Sequence, residues 1–317
     1  MGYSFEQFRY PSSDGASEIA AYLFLPDGEV KGILQIVHGM SEHFMRYRPF
    51  CEFIAENGFV VCGNDHLGHG ETAPDEESLG YIAEKDGADI LAADVYSLAE
   101  QMKERFNVPH VLLGHSMGSL ISRYCLALYP DITDSCIIMG TVGPGAPTGV
   151  AKAVANINKG LFGGYNRSRF LKKMALGGYN RKFSKEEGSN AWVRSNGDPQ
   201  NTRDDARVGF TFTSQGYYDL FDLLGKVSSR KWADAVSKEL PILLVAGRED
   251  PVGDYGRGVV KVCEMLLAAG VDRVRCKIYP KSRHEILNDV EKDAVYADML
   301  SWTAGICESV RQEREDA

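Results

Sequence analysis

Short apolar runs of strand length alternate along this chain with longer segments of helical spacing, and that alternation restricts the fold more than any other feature. The runs, each bounded by Gly, Pro or Asp, lie at 19–25, 32–37, 58–63, 109–113, 135–140, 241–246 and 274–279. Several are rich in β-branched residues, which suit a pleated surface. Between them, Leu91, Val95, Leu98, Met102 and Phe106 recur at helical intervals, as do Val295, Met299, Trp302 and Ile306. Strand and helix in regular succession predict a mostly parallel central sheet with helices on both faces. A parallel crossover needs a helix-length connection, and each face of the sheet must be covered. Strands buried on two sides do not alternate polar with apolar, and these runs do not.

The alternation stops between about Gly140 and Leu240, where the composition shifts to Gly, aromatic and basic residues. This predicts a helical insertion at 141–239 within a core formed by 1–140 and 240–317. Residues 151–185 carry Lys152, Lys159, Arg167, Arg169, Lys172, Lys173, Arg181, Lys182 and Lys185 but no Asp or Glu, in a chain whose net charge is -9. Interleaved Leu161, Phe162, Phe170 and Met174 make the stretch suitable for transient contact with an apolar, anionic lipid surface. Solvated cations, or cations facing the acidic body of the same chain, fit equally well.

Composition narrows the class. With 317 residues, 44% hydrophobic and 25% charged, the chain is neither disordered nor fibrous. Its negative charge repels nucleic-acid phosphates, so no nucleic-acid partner is expected. Seven cysteines without CxxC spacing sit mostly in apolar runs and read as buried thiols in a reducing compartment. No apolar run approaches the ~20 residues of a membrane span. The first residues lack an export signal, and Glu6 stands where myristoylation wants Ser or Thr. A soluble, cytoplasmic protein is the expectation; nothing in the sequence sets the oligomeric state.

The chemistry centres on Gly114-His115-Ser116-Met117-Gly118, which follows the run at 109–113 and precedes a helical pattern through Leu120, Ile121, Tyr124 and Leu128. A turn this tight leaves no room for side chains two residues before and after the serine, which explains both glycines. Ser116 is the candidate nucleophile, with a plain helix N-cap as its alternative. A serine hydroxyl needs a base, and the base needs an orienting carboxylate. The run at 241–246 leads into Asp250, the candidate acid, and the run at 274–279 leads into His284, the candidate base. Ligand crevices of open α/β sheets lie at the carboxyl ends of the strands, so these three groups can converge. Glu249 and Asp254 are weaker candidates for the acid, since Glu249 should face away from Asp250 and Asp254 should begin a helix. An oxyanion needs two N–H donors, for which Met117, after the nucleophile, and Met40, in the loop after 32–37, are the candidates. His115 reads as packing.

These segments together resemble the α/β-hydrolase superfamily, and within it the monoacylglycerol lipase and lysophospholipase-like branch, also called serine aminopeptidase-like hydrolases. The resemblance rests on His38-Gly39-Met40-Ser41-Glu42-His43, Asn64-Asp65-His66-Leu67-Gly68-His69-Gly70, the Ser116 pentapeptide, Gly247 to Gly253, and Ser282-Arg283-His284-Glu285. It implies the triad Ser116, Asp250 and His284, an oxyanion hole of the Met40 and Met117 N–H groups, and a lid formed by the insertion. It implies no cofactor. The expected activity is hydrolysis of fatty acyl esters of monoacylglycerol or lysophospholipid type. An amidase or peptidase using the same triad is an alternative, and so is a non-catalytic ligand-binding member of the fold. Asp65, His66, His69 and Glu71 do not have zinc-site spacing, so no metal is expected.

Overall fold

The structure is a computed structural model that describes residues 2–183, 188, 190–195 and 205–316. Lys185 of the basic segment lies outside the described residues. The strands are β1 (Tyr3–Pro11), β2 (Glu18–Pro26), β3 (Ile33–Val37), β4 (Val60–Asn64), β5 (His110–His115), β6 (Ser135–Met139), β7 (Ile242–Gly247) and β8 (Val274–Tyr279). The helices are α1 (Arg48–Glu56), α2 (Gly87–Phe106), α3 (Met117–Leu128), α4 (Thr148–Phe162), α5 (Arg169–Leu176), α6 (Ser214–Val227), α7 (Arg230–Ala235), α8 (Arg257–Ala268) and α9 (Lys292–Glu315). They form the expected α/β-hydrolase architecture, a mostly parallel sheet in the order β1-β2-β4-β3-β5-β6-β7-β8. Among the described residues only the pairs β1/β2 and β2/β4 are antiparallel.

The buried strands explain the two cores. Ile33 and Val37 of β3 face one way, together with α2, α3, α6 and α8, while Leu34 and Ile36 face the other, with α1 and α9. Successive residues of a strand point to opposite faces, so one apolar run feeds both cores. Strand order reverses in the middle of the sheet: β3 is flanked by β4 on one side and β5 on the other. Loops leaving β3 and β5 therefore splay apart at their carboxyl ends and open a crevice there.

Two features depart from the sequence reading. Strand β1 was not among the expected runs because Glu6, Gln7 and Arg9 interrupt its apolar residues; its identity comes from pairing with β2 along the whole length, from Tyr3↔Pro26 to Pro11↔Glu18. Cys276 is exposed, unlike the other six cysteines, because β8 is an edge strand whose side chains face solvent over much of its length.

Helices α4 to α7 are inserted between β6 and β7. Burial of Tyr217, Phe221, Leu223, Val227 and Trp232 joins α6 and α7 to the core on the α3 face. Arg123 of α3, wholly buried, ties the start of the insertion to the end of α6. It donates to Thr141 Oγ1 (3.1 Å) and the Val142 carbonyl (3.0 Å) at one end and to the Val227 carbonyl (2.5 Å) at the other. Its guanidinium lies 4.3 Å from the Trp232 ring, and burial without a carboxylate pushes its pKa down to about 9. Among the described residues no helix is long and apolar enough to cross a membrane.

Candidate active site

Ser116 sits between the end of β5 and the first residue of α3 with φ 53 and ψ -118, a conformation that L-residues disfavour by about 1–3 kcal/mol. Close packing of the elbow imposes it. A Cβ on Gly114 would strike the Gly118 carbonyl and the Ser122 hydroxyl, and one on Gly118 would strike the carbonyls of Val37 and His38. The Ser116 N–H donates to the Met139 carbonyl (3.0 Å), while its side chain makes no capping hydrogen bond to α3. The N-cap alternative therefore lacks the bond that would define it.

Asp250 and His284 leave the ends of β7 and β8 and meet. Asp250 is fully buried; its Oδ1 accepts from the Val252 N–H (2.9 Å) and its Oδ2 lies 3.0 Å from His284 Nδ1. An ionised carboxylate only accepts, so Nδ1 carries the proton and Nε2 is left as the basic nitrogen. Burial pushes the His284 pKa down, but the charge and hydrogen bond of Asp250 outweigh it, and the net shift is above the ordinary 6.5. Glu249 instead points outward to Arg283, 3.3 Å away. Asp254 lies in a left-handed turn at φ 51 and binds Arg257 at 2.7 Å. The helix begins at Arg257, not at Asp254 as expected, since two successive positive-φ residues, Asp254 and Tyr255, cannot start a helix.

Ser116, His284, Met40 and Met117 all line one cavity of about 1040 Å³. The loop after β3 approaches Ser116 so closely that a Cβ on Gly39 would lie 3.1 Å from Ser116 Cβ and 2.6 Å from Glu42 Oε1. Met117, as the first residue of α3, has an N–H without an acceptor inside its own helix.

A buried network behind the site was not foreseen from the sequence. Glu42 Oε1 accepts from the Gly39 N–H (2.6 Å) and the Tyr47 hydroxyl (2.7 Å), and the same hydroxyl lies 2.7 Å from His115 Nδ1. Arg46 bridges Glu42 Oε2 (2.5 Å) and both oxygens of Glu285 (2.8 and 2.9 Å), and Arg194 reaches Glu285 at 3.1 Å. Burial alone would raise both carboxyls, but Arg46 above all holds Glu42 well below the usual range and Glu285 below it. The available signal was the placement of Glu42 and Glu285 inside quoted motifs, with Arg46 four residues after Glu42. His115, read as packing, carries a hydrogen bond in this network.

The four residues considered for a metal go elsewhere. Asp65 accepts from the Tyr22 hydroxyl (2.7 Å) and the N–H groups of Phe44 and Glu71 (each 2.8 Å). Glu71 pairs with Arg207. His66 packs on His38 with ring centroids 4.1 Å apart, and His69 Nδ1 lies 2.9 Å from the Leu67 carbonyl. Burial lowers the pKa of His66 and His110 to about 3, that of His69 to about 4, and that of His38 well below 6.5. Their stabilisation is thus complete above the unfolded value near 6.5 and is lost as pH falls toward 4, where the unfolded chain takes protons the folded one refuses. His284, shifted upward, offsets a part. The expected loss between pH 7 and pH 5 is at least about 2 kcal/mol, read from denaturant midpoints at the two pH values.

The basic segment divides. Lys152 pairs with Asp222, Lys182 lies 3.4 Å over the Tyr255 ring, and Arg167 donates to the carbonyls of Thr211, Glu76 and Glu77. Arg169, Lys172 and Lys173 of α5 line the cavity and form no ion pair with a carboxylate among the described residues.

Sequence comparison agrees with this geometry: residues 28–291 match the serine aminopeptidase S33 family of hydrolases. The chain belongs to that family. A monoacylglycerol lipase of Mycolicibacterium smegmatis is 24% identical over 295 residues, covering 91% of this chain and 93% of the relative. A highly thermostable carboxyl esterase from Bacillus coagulans, solved in complex with glycerol, superposes with a TM-score of 0.87 at 30% identity, covering 96% of this chain and 99% of that one. A soluble variant of monoglyceride lipase from Saccharomyces cerevisiae shares the fold, with a TM-score of 0.72 at 16% identity over 97% of this chain and 96% of that one. The chain is an α/β hydrolase of the esterase and monoacylglycerol lipase type, as its motifs led us to expect.

Proposed function

We propose that the chain hydrolyses carboxylic esters of single fatty acyl chains, of monoacylglycerol or lysophospholipid type, through an acyl-enzyme on Ser116. The observation that carries this reading is the Asp250-bound His284 opening, with the elbow serine, into one cavity. His284 Nε2 takes the Ser116 proton as Oγ bonds to the ester carbonyl carbon, whose π pair moves to oxygen. The Met40 and Met117 N–H groups hold that oxyanion. Collapse breaks the ester C–O bond, and His284 returns its proton to the leaving alkoxide. Water, deprotonated by the same nitrogen, then adds to the acyl-enzyme; as this adduct collapses the Ser116 C–O bond breaks, His284 returns the proton to Oγ, and the fatty acid is freed.

Leu120, Val142, Ala151, Leu220, Phe221 and Leu224 give the cavity an apolar wall suited to an acyl chain. The leaving group must lie beside His284, where Glu285, Arg46 and Arg194 supply polar surroundings for a polyol. The monoacylglycerol lipase and the glycerol-bound esterase named above support the assignment. Aminopeptidase action is disfavoured, because Glu42 and Glu285, the carboxylates that line the cavity among the described residues, are already committed to arginines. The insertion at 141–239 acts as a lid in this reading. Its exposed Ile157, Leu161, Phe162 and Phe170, near unpaired cations, would touch a lipid surface transiently.

Hydrolysis of p-nitrophenyl esters of graded length tests the reading: kcat/KM should peak on medium or long chains, and a peak at acetate would contradict it. Charge reversal in Lys172→Glu/Lys173→Glu should lower turnover of an anionic lysophospholipid relative to a monoacylglycerol by about tenfold, as the three lining cations of α5 predict at low salt. An unchanged ratio would remove the anionic head group from the proposal.

A further inference from the structure

Ser41, the residue after the candidate oxyanion donor Met40, adopts φ 57, a left-handed conformation that glycine occupies at far lower cost. Serine here therefore calls for a reason, and its hydrogen bonds supply one. The Ser41 hydroxyl donates to the Phe210 carbonyl (2.8 Å), and the Ser41 carbonyl accepts from the Gly209 N–H (2.8 Å). Its own N–H points to His69 Nε2 at 3.4 Å, on a ring whose other nitrogen is held by Leu67 and which packs 5.3 Å from both Phe210 and Phe212. Two residues on, His43 Nε2 lies 2.9 Å from Asp205 Oδ2. All of these partners except His69 and Leu67 belong to 205–213, the segment that leads into α6 of the insertion.

We infer that Ser41 is a positioning residue that ties the alignment of the Met40 N–H to the seating of this return segment. The oxyanion loop is thus held from one side by Glu42 through the Gly39 N–H and from the other by the insertion through Ser41. Displacing the insertion releases the turn at Ser41 and lets the neighbouring donor drift, and a drift on the order of 1 Å is enough to slow a reaction many-fold. The inference rests on the reading that Met40 supplies an oxyanion donor.

Ser41→Ala removes the hydroxyl and keeps the backbone cost, whereas Ser41→Gly removes both. Three readouts separate the roles: kcat and KM on one p-nitrophenyl ester, affinity for a trifluoromethyl ketone that mimics the tetrahedral oxyanion, and amide hydrogen exchange of 205–213. Both variants are expected to lose about tenfold in kcat and in ketone affinity, with KM within about twofold and exchange of 205–213 several-fold faster. Glycine restoring wild-type kcat would show that only the turn matters and would overturn the inference, as would unchanged exchange. Exchange is measured without turnover. Faster exchange in a chain that hydrolyses no ester would remove the assigned reaction and, with it, the positioning role.

Discussion

Ser116→Ala is expected to lower kcat for a medium-chain p-nitrophenyl ester by about 10⁴- to 10⁶-fold while leaving KM and the thermal midpoint close to wild type. In the proposed mechanism no acyl-enzyme forms without Oγ, and the residual rate comes from water attacking an ester still held by the proposed oxyanion donors. The fold should tolerate the change well. Ser116 is half-buried, its side chain caps nothing, and the Met139 bond uses only its N–H, which alanine retains. Steady-state kinetics beside a melting curve would check both halves. Undiminished turnover would place the nucleophile elsewhere.

Asp250→Asn should cost about 10⁴-fold in kcat, because an amide can donate to His284 Nδ1 and stabilise the tautomer with the proton on Nε2, the nitrogen that must accept one. A second signature is independent of magnitude. As the proposed base, His284 must be neutral to act, and Asp250 raises its pKa above 6.5, so kcat/KM should rise with pH through a midpoint above that value. Removing the carboxylate leaves burial, which disfavours the imidazolium, as the main influence. The acid limb of Asp250→Asn should therefore move to lower pH, in a profile recorded between pH 4 and 9. A limb that stays in place would show that another residue carries it.

What the sequence disclosed follows from which interactions are local. Buried strands such as Ile242–Gly247 are apolar on both faces and announce themselves, as does a helix with a repeating face such as Gly87–Phe106. The elbow was legible because both glycines fall within its five residues, although the carbonyls that crowd Gly118 belong to Val37 and His38. Strand β1 was not, since an edge strand with one wet face is defined by its pairing partner. The network of Glu42, Arg46, Glu285 and Arg194 escaped for a related reason. Its members come from positions 42, 46, 194 and 285, and only the fold makes them neighbours. Likewise, nothing in Ser41 announces its bond to Phe210, 169 residues away.

The proposed function depends on covalent acylation of Ser116. Intact-mass measurement after exposure to a fluorophosphonate tests it most directly, since that electrophile leaves a stable adduct on an activated serine. A single adduct on the wild type, mapped to Ser116 and absent from Ser116→Ala, is the predicted result; no adduct on well-folded wild type, or one that persists in Ser116→Ala, would contradict it.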